Sequence, residues 1–271
     1  METNRRRIGI LMMLPPGPTP TYSYIRSSVL QWFARNPKIE VVVIPATVTG
    51  SEIAAYFEYI HGLYLHPDWA EHPAYAEVVR TFLTMATLAN RAGDYFPVWG
   101  TCLGYESIMD FVGHLQPLER FDARQLERAL SRMNLRVSEV RESRLLSYAK
   151  KINQLTHLRH IYVPYFDHDY GVSVSRFNRS AALRRTFRIL STCHDRAGKE
   201  YISMVEGRTL PFYGTQFHPD MDSAMTWMVA FLLQEAQKSK HTGFRPASAN
   251  PSLHHGICLE EMNYKIPCMR T

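Results

Sequence analysis

Apolar residues along the chain alternate between two spacings. Short continuous runs, 8–14, 39–44 and 60–65, are separated by longer segments in which apolar residues return every three or four positions. A continuous run has no polar face, as expected of a strand covered on both sides of a parallel sheet. The segments between them predict helices. One carries Tyr24, Ile25, Val29, Leu30 and Phe33 up to Asn36-Pro37, where proline ends it; another covers 52–59 with Ser51 as N-cap; a third covers 73–92 with Val78, Val79, Phe82, Leu83 and Ala86 in one stripe. A fourth apolar run, 95–99, follows at once. This β-α-β-α-β-α-β order with short connections predicts an α/β fold built on a mostly parallel sheet with helices on both faces.

Further along, the pattern loosens. Residues 115–160 contain basic amphipathic stretches, 125–133 and 143–158, that predict an insertion or covering layer over the sheet edge. Two strands, 189–193 and 200–206, form a pair across the turn 195–198; a strand over 210–218 and a helix from 223 to about 240 complete the domain. From His241 the composition turns to Pro, Ser, Asn, His and Gly, which predicts an extended or disordered tail over 241–271, available to a protein partner, behind one domain over 1–240.

The fourth run leads into Gly100-Thr101-Cys102-Leu103-Gly104, and a helical pattern starts straight after it. A cysteine between two glycines at a strand-to-helix turn has the layout of a nucleophile elbow: the chain must reverse sharply, and a Cβ on either side would clash. The helix N-terminus behind the thiol favours thiolate. In a parallel sheet this position lies at the carboxyl end of a strand, where ligands bind.

Composition narrows the function classes. The 271 residues have 45% hydrophobic and 21% charged content, ordinary for a globular protein, and a formal net charge of +6 that suits an anionic partner. No recognition helix or interleaved basic and aromatic stripe points to nucleic acid. No apolar run approaches the roughly 20 residues that span a bilayer, and the N-terminus lacks the apolar core of a secretory leader, so a cytoplasmic location is expected. Four cysteines without C-x-x-C spacing indicate neither a zinc knuckle nor a disulfide framework.

A thiol nucleophile needs a base, and twelve histidines compete for that role. Only His218 directly follows a predicted strand and has a carboxylate, Asp220, two residues on. If that strand runs parallel to the elbow strand, His218 and Cys102 emerge at one sheet edge.

The two segments together, Tyr95-Phe-Pro-Val-Trp-Gly-Thr-Cys-Leu-Gly-Tyr-Glu106 and Phe212-Tyr-Gly-Thr-Gln-Phe-His-Pro-Asp220, resemble the γ-glutamyl hydrolase family of the class I glutamine amidotransferase-like superfamily. The resemblance covers most of residues 7–235 and implies a flavodoxin-like, class I glutamine amidotransferase-like fold. It also implies hydrolysis of γ-glutamyl peptide bonds, as in folate poly-γ-glutamate, through a thioester and without metal or organic cofactor. Cys102 would be the nucleophile, His218 the general base and acid, and Asp220 the orienting carboxylate. The backbone at Leu103 and Asp68 would form the oxyanion hole, with His168, Tyr105 and Glu106 on the substrate side. Family members are often secreted or lysosomal, and a homodimer is conceivable for this one.

The chain departs from the family at two points. Pro-Gly-Gly after the third strand is replaced by His66-Pro67-Asp68, in which proline has no N–H to donate, and the orienting Glu is replaced by the shorter Asp220. Loss of one oxyanion donor costs roughly 10²–10³ in rate. The sequence therefore supports an active thiol hydrolase and, against it, a catalytically weak homologue kept as a binding or structural protein. A glutaminase-type amidotransferase has less support, since no synthetase domain accompanies it.

Overall fold

A computed structural model describes residues 5–15, 23–67, 72–114, 117–126, 132–158 and 165–249, and the strands at Ile257–Glu261 and Tyr264–Lys265. The chain opens with β1 (Arg6–Leu11), then β2 (Ser23–Arg26), which passes without a break into α1 (Ser27–Ala34). Next come β3 (Ile39–Ile44), α2 (Gly50–Tyr59), β4 (Gly62–Leu65), α3 (Pro73–Arg91), β5 (Val98–Thr101) and α4 (Leu103–Gly113). The second half contributes β6 (Glu119–Ala123), β7 (Asn134–Leu135), α5 (Arg144–Lys151), β8 (His168–Gly171), α6 (Val174–Arg179) and α7 (Ala181–Thr186). It ends with β9 (Phe187–His194), β10 (Glu200–Gly207), β11 (Phe212–Thr215), α8 (Thr226–Ala236), β12 (Ile257–Glu261) and β13 (Tyr264–Lys265).

An eight-stranded sheet runs in the order β3-β1-β4-β5-β11-β10-β9-β7. The first five strands pair in parallel and the last three are antiparallel additions at one edge. Counted by chain position, the parallel strands follow the order 2-1-3-4-5, the flavodoxin-like arrangement, whose ligands collect outside the carboxyl ends.

Alternate strand residues feed the two faces. Leu63, Leu65, Val98 and Phe212 pack with α2, α3, α4 and α7 on one side; Tyr64, Trp99 and Tyr213 pack with α1, α5 and α8 on the other. Both faces being covered is why these strands read as unbroken apolar runs. Within 115–160, β7 joins the sheet edge beside β9, and α5 buries Leu145, Leu146 and Ala149 against the face that carries α8. The stretch 127–131, within the predicted amphipathic segment 125–133, lies outside the described residues.

Three local expectations are corrected. Tyr24 and Ile25 belong to β2 and not to the helix: the backbones of Met13 and Tyr24 exchange two hydrogen bonds of 2.9 Å, which folds the segment back against the end of β1. Helix α2 starts before Ser51, at Gly50, with Thr49 in the N-cap position and no side-chain cap bond. The first part of the expected tail, 241–249, packs against the domain. His241 is buried, its Nδ1 2.7 Å from the Phe57 carbonyl oxygen and its Nε2 2.9 Å from Asp94, and Arg245 pairs with Glu40 at 2.8 Å. Further on, β12 pairs in parallel with β2, setting Glu260 beside Arg26 in register.

Candidate active site

Cys102 lies between β5 and α4 with φ 50° and ψ −109°, a positive-φ conformation outside the helical regions that costs a non-glycine residue roughly 1–3 kcal/mol. Two backbone bonds hold it there: its N–H donates to Thr215 O at 2.8 Å, and its carbonyl accepts from the Glu106 N–H at 2.9 Å. The flanking glycines answer to close packing. A Cβ on Gly100 would stand 2.4 Å from the Gly104 carbonyl oxygen, and one on Gly104 would stand 2.4 Å from the Leu65 carbonyl oxygen. The glycines thus let β4, β5 and the first turn of α4 meet backbone to backbone, and that contact presses the cysteine into its strained turn.

The thiol is enclosed, with 2% of Cys102 exposed, and Sγ donates to the Asp167 carbonyl oxygen at 3.7 Å. Burial pushes its pKa well above the ordinary thiol value, and the Glu106 carboxylate adds to the rise. Arg26 and the Leu103 N–H oppose it. At this elbow desolvation outweighs the helix N-terminus, contrary to the expectation of a ready thiolate.

His218 arrives as expected. Strand β11 is parallel to β5 with Thr215 opposite Thr101, so the chain leaves both strands at the same edge. Its N–H donates to Tyr165 O at 2.9 Å, and its ring meets the Tyr165 ring edge-on at 5.7 Å between centroids. Neither ring nitrogen has a hydrogen-bond partner among the described residues. Burial, with the nearby Arg26 charge, holds the imidazole well below its usual pKa and therefore neutral. Asp220 stops short of it: Nδ1 and Oδ1 are 3.9 Å apart, and Oδ2 instead accepts from Ser28 Oγ at 2.6 Å. Burial raises the Asp220 carboxyl.

The remaining candidates divide. His168 is buried, its Nδ1 2.7 Å from Tyr170 O, which puts the proton on Nδ1 and leaves Nε2 as a buried acceptor with no partner among the described residues. Burial lowers its pKa to about 4. Glu106 accepts from Gln216 Nε2 at 2.8 Å and bears on the Cys102 thiol. Tyr105 is placed as a core residue: its ring is fully buried and its hydroxyl donates to Ile202 O at 3.3 Å. Asp68 lies outside the described residues. In the same turn His66 is fully buried, and its Nε2 accepts the Arg26 N–H at 2.8 Å.

Sequence reasoning missed Arg26, Ser28, Tyr165 and Asp167. Arg26 could have been noticed as a lone charge in the apolar stretch Tyr24-Ile25-Arg26; the others carry no local mark. A cleft of about 590 Å³ between α3, α4 and α7, bordered by Arg91, His114 and Arg185, contains none of the site residues expected from the sequence. Among the described residues no group of three or more His, Cys, Asp and Glu side chains is placed to hold a metal ion, and no helix is long and apolar enough to cross a membrane.

Residues 21–228 match the glutamine amidotransferase class-I family. Among curated proteins the chain is 32% identical to γ-glutamyl hydrolase 1 of Arabidopsis thaliana over 206 residues, 76% of this chain and 58% of that protein. It is 25% identical to γ-glutamyl hydrolase B of Dictyostelium discoideum over 81% of this chain and 67% of that one. The mouse γ-glutamyl hydrolase is 28% identical over 80% of this chain and 73% of its own length. The chain therefore spans little more than half to about three quarters of these relatives. A solved structure from Thermoplasma acidophilum, assigned to GMP synthase, superposes with a TM-score of 0.53 at 14% identity, over 86% of this chain and 94% of that one, which speaks to fold alone. With its parallel sheet, its elbow cysteine and this match over most of its length, the chain belongs to the glutamine amidotransferase class-I family, and its similarity to curated relatives runs to γ-glutamyl hydrolases.

Proposed function

We propose that the chain is a cysteine hydrolase of γ-glutamyl peptide bonds, of the kind found in poly-γ-glutamate. The observation that carries this reading is the strained Cys102 elbow on β5, in register with the strand that ends just before His218. In the proposed cycle His218 takes the proton of the neutral Cys102 thiol as Sγ attacks the γ-amide carbonyl carbon. The C–N bond then breaks, His218 gives that proton to the leaving amine, and a thioester remains. Water, deprotonated by His218, attacks the thioester carbonyl; the C–S bond breaks and the proton returns to Sγ. The tetrahedral oxyanion is stabilised by the Leu103 N–H, which already faces the thiol. Starting from two neutral partners suits an enclosed site, where burial disfavours the charged forms of both groups.

A weakly active or inactive homologue is the second reading. Its support is specific: the Cys102 thiol donates to Asp167 O and not to His218, and Pro67 brings no N–H to the turn opposite the elbow. One experiment separates the two. Reduced protein is incubated with a poly-γ-glutamyl peptide and glutamate release is followed, beside Cys102→Ala. Release by the first and none by the second establishes the hydrolase; no turnover by either from pH 5 to 8 leaves the second reading standing.

A further inference from the structure

The segment that links β2 to α1 bridges the site. At one end the Arg26 N–H donates to His66 Nε2, just past β4; two residues later Ser28 Oγ donates to Asp220, beyond β11. In the sheet, β5 lies between β4 and β11, so a span from His66 to Asp220 crosses the end of β5, where Cys102 sits. The dimensions agree: strands about 4.8 Å apart put β4 and β11 about 10 Å apart, a distance that two residues and the side chains gripping them can cover.

Arg26 is therefore part of the roof over the nucleophile, and only 5% of it is exposed. Its positive charge acts on Cys102, Tyr165, Asp167, His218 and Asp220, groups drawn from three separate stretches of chain. The two carboxylates among them are engaged by other donors as well: Asp167 accepts from the Gln125 N–H at 3.1 Å and from Tyr165 Oη at 3.3 Å, and Asp220 from Ser28.

We infer that Arg26 is the receptor for a carboxylate that the substrate carries beside its scissile γ-amide. This rests on the γ-glutamyl reading for its substrate. A γ-linked glutamyl residue keeps its α-carboxylate free, three carbons from the carbonyl that Cys102 would attack. A guanidinium is a planar fork whose N–H donors match the geometry a carboxylate accepts, and an enclosed site strengthens the pairing. Arg26 would thus select γ-amides of glutamate over amides of uncharged acids. It would also set the scissile carbonyl at a fixed distance from Sγ, because His66 and Asp220 hold the segment at both ends.

The test compares γ-glutamyl-p-nitroanilide with 4-aminobutyryl-p-nitroanilide, which lacks only the α-carboxylate, on wild type, Arg26→Gln and Arg26→Lys. The wild type is expected to favour the carboxylated substrate in kcat/KM by roughly 10- to 150-fold, the range of a hydrogen bond to a charged group. That ratio should collapse towards one in Arg26→Gln and be partly kept in Arg26→Lys. An unchanged ratio in folded Arg26→Gln overturns the inference. Binding of γ-glutamylglutamate to Cys102→Ala, by calorimetry, is the second readout. It should weaken by a similar factor when Arg26→Gln is added, and equal affinity also overturns the inference. Should the wild type cleave nothing yet bind the dipeptide through Arg26, the hydrolase reading fails and the receptor stands. Cleavage with no dependence of the ratio on Arg26 gives the reverse. Where Arg26→Gln does not fold, Arg26→Lys decides: a ratio and affinity that fall in the folded protein support the guanidinium as receptor, and a ratio and affinity equal to those of the wild type overturn it.

Discussion

Asp220→Glu tests the geometry around His218 most directly. The present carboxylate stops 3.9 Å from Nδ1, about 1 Å beyond a hydrogen bond, and one further methylene adds a C–C bond of about 1.5 Å. The longer side chain can therefore close the gap with one oxygen while the other keeps the bond from Ser28. That adds one charge-assisted hydrogen bond, but the extra methylene in an enclosed site costs about 1–3 kcal/mol. Catalysis should gain, because a carboxylate on Nδ1 stabilises the imidazolium that forms as the thiol loses its proton. At about 1.5–3 kcal/mol for that contact, kcat should rise roughly 10- to 150-fold. The assay is steady-state glutamate release, paired with titration of His218 by NMR. A negative neighbour raises a histidine pKa, so the depressed His218 titration should move up. A folded Asp220→Glu protein with unchanged kcat and an unmoved His218 titration would refute the argument that reach limits this pair.

Three other outcomes follow from the same contacts. Cys102→Gly should be about 1 kcal/mol more stable than Cys102→Ala, reversing the usual order, because φ 50° strains any residue with a Cβ; denaturant midpoints compare them. Gly104→Ala should destabilise by about 3 kcal/mol, since its Cβ would meet the Leu65 carbonyl oxygen at 2.4 Å and neither partner is a side chain that can turn away; a melt near that of the wild type would contradict the packing argument. Stability should fall below pH 6.5. His66 and His168, lowered by burial to about 3 and about 4, stay neutral in the folded protein while their unfolded forms take up protons. Each then withdraws about 2 kcal/mol by pH 5, and the buried His218 acts in the same direction. The raised carboxyls of Asp167 and Asp220 offset part of this, because they gain protons more readily folded than unfolded. A urea midpoint at pH 5 equal to that at pH 7.5 would show that these histidines do not remain neutral in the folded state.

Features that depend on neighbours in sequence were readable from the chain itself. Strands β1, β3, β4 and β5 announce themselves as apolar runs because both faces of the sheet are covered, and the elbow is marked by glycines whose missing Cβ atoms the packing demands. The pairing of His218 with Cys102's edge also followed, since parallel strands deliver their following residues to one side. What escaped was set by residues distant in sequence. Tyr24 and Ile25 look helical, but pairing with β12 and, for Tyr24, two hydrogen bonds with Met13 make them a strand, and four residues are too few for periodicity to tell the difference. The polar composition after 240 reads as a loose tail, yet His241 is fastened by the carbonyls of Phe57 and Ile60 and by Asp94, partners that lie 147 to 184 positions away.

The same division runs through the site. The sequence by itself determined where Cys102 and His218 stand, because local backbone constraints put them there. Tertiary structure decided their charge states and their neighbours: an enclosed thiol and imidazole, a carboxylate 3.9 Å short of its histidine, and Arg26 carried over the elbow by His66 and Asp220. Proton affinity depends on burial and on charges brought in from other segments, and neither exists until the chain has folded.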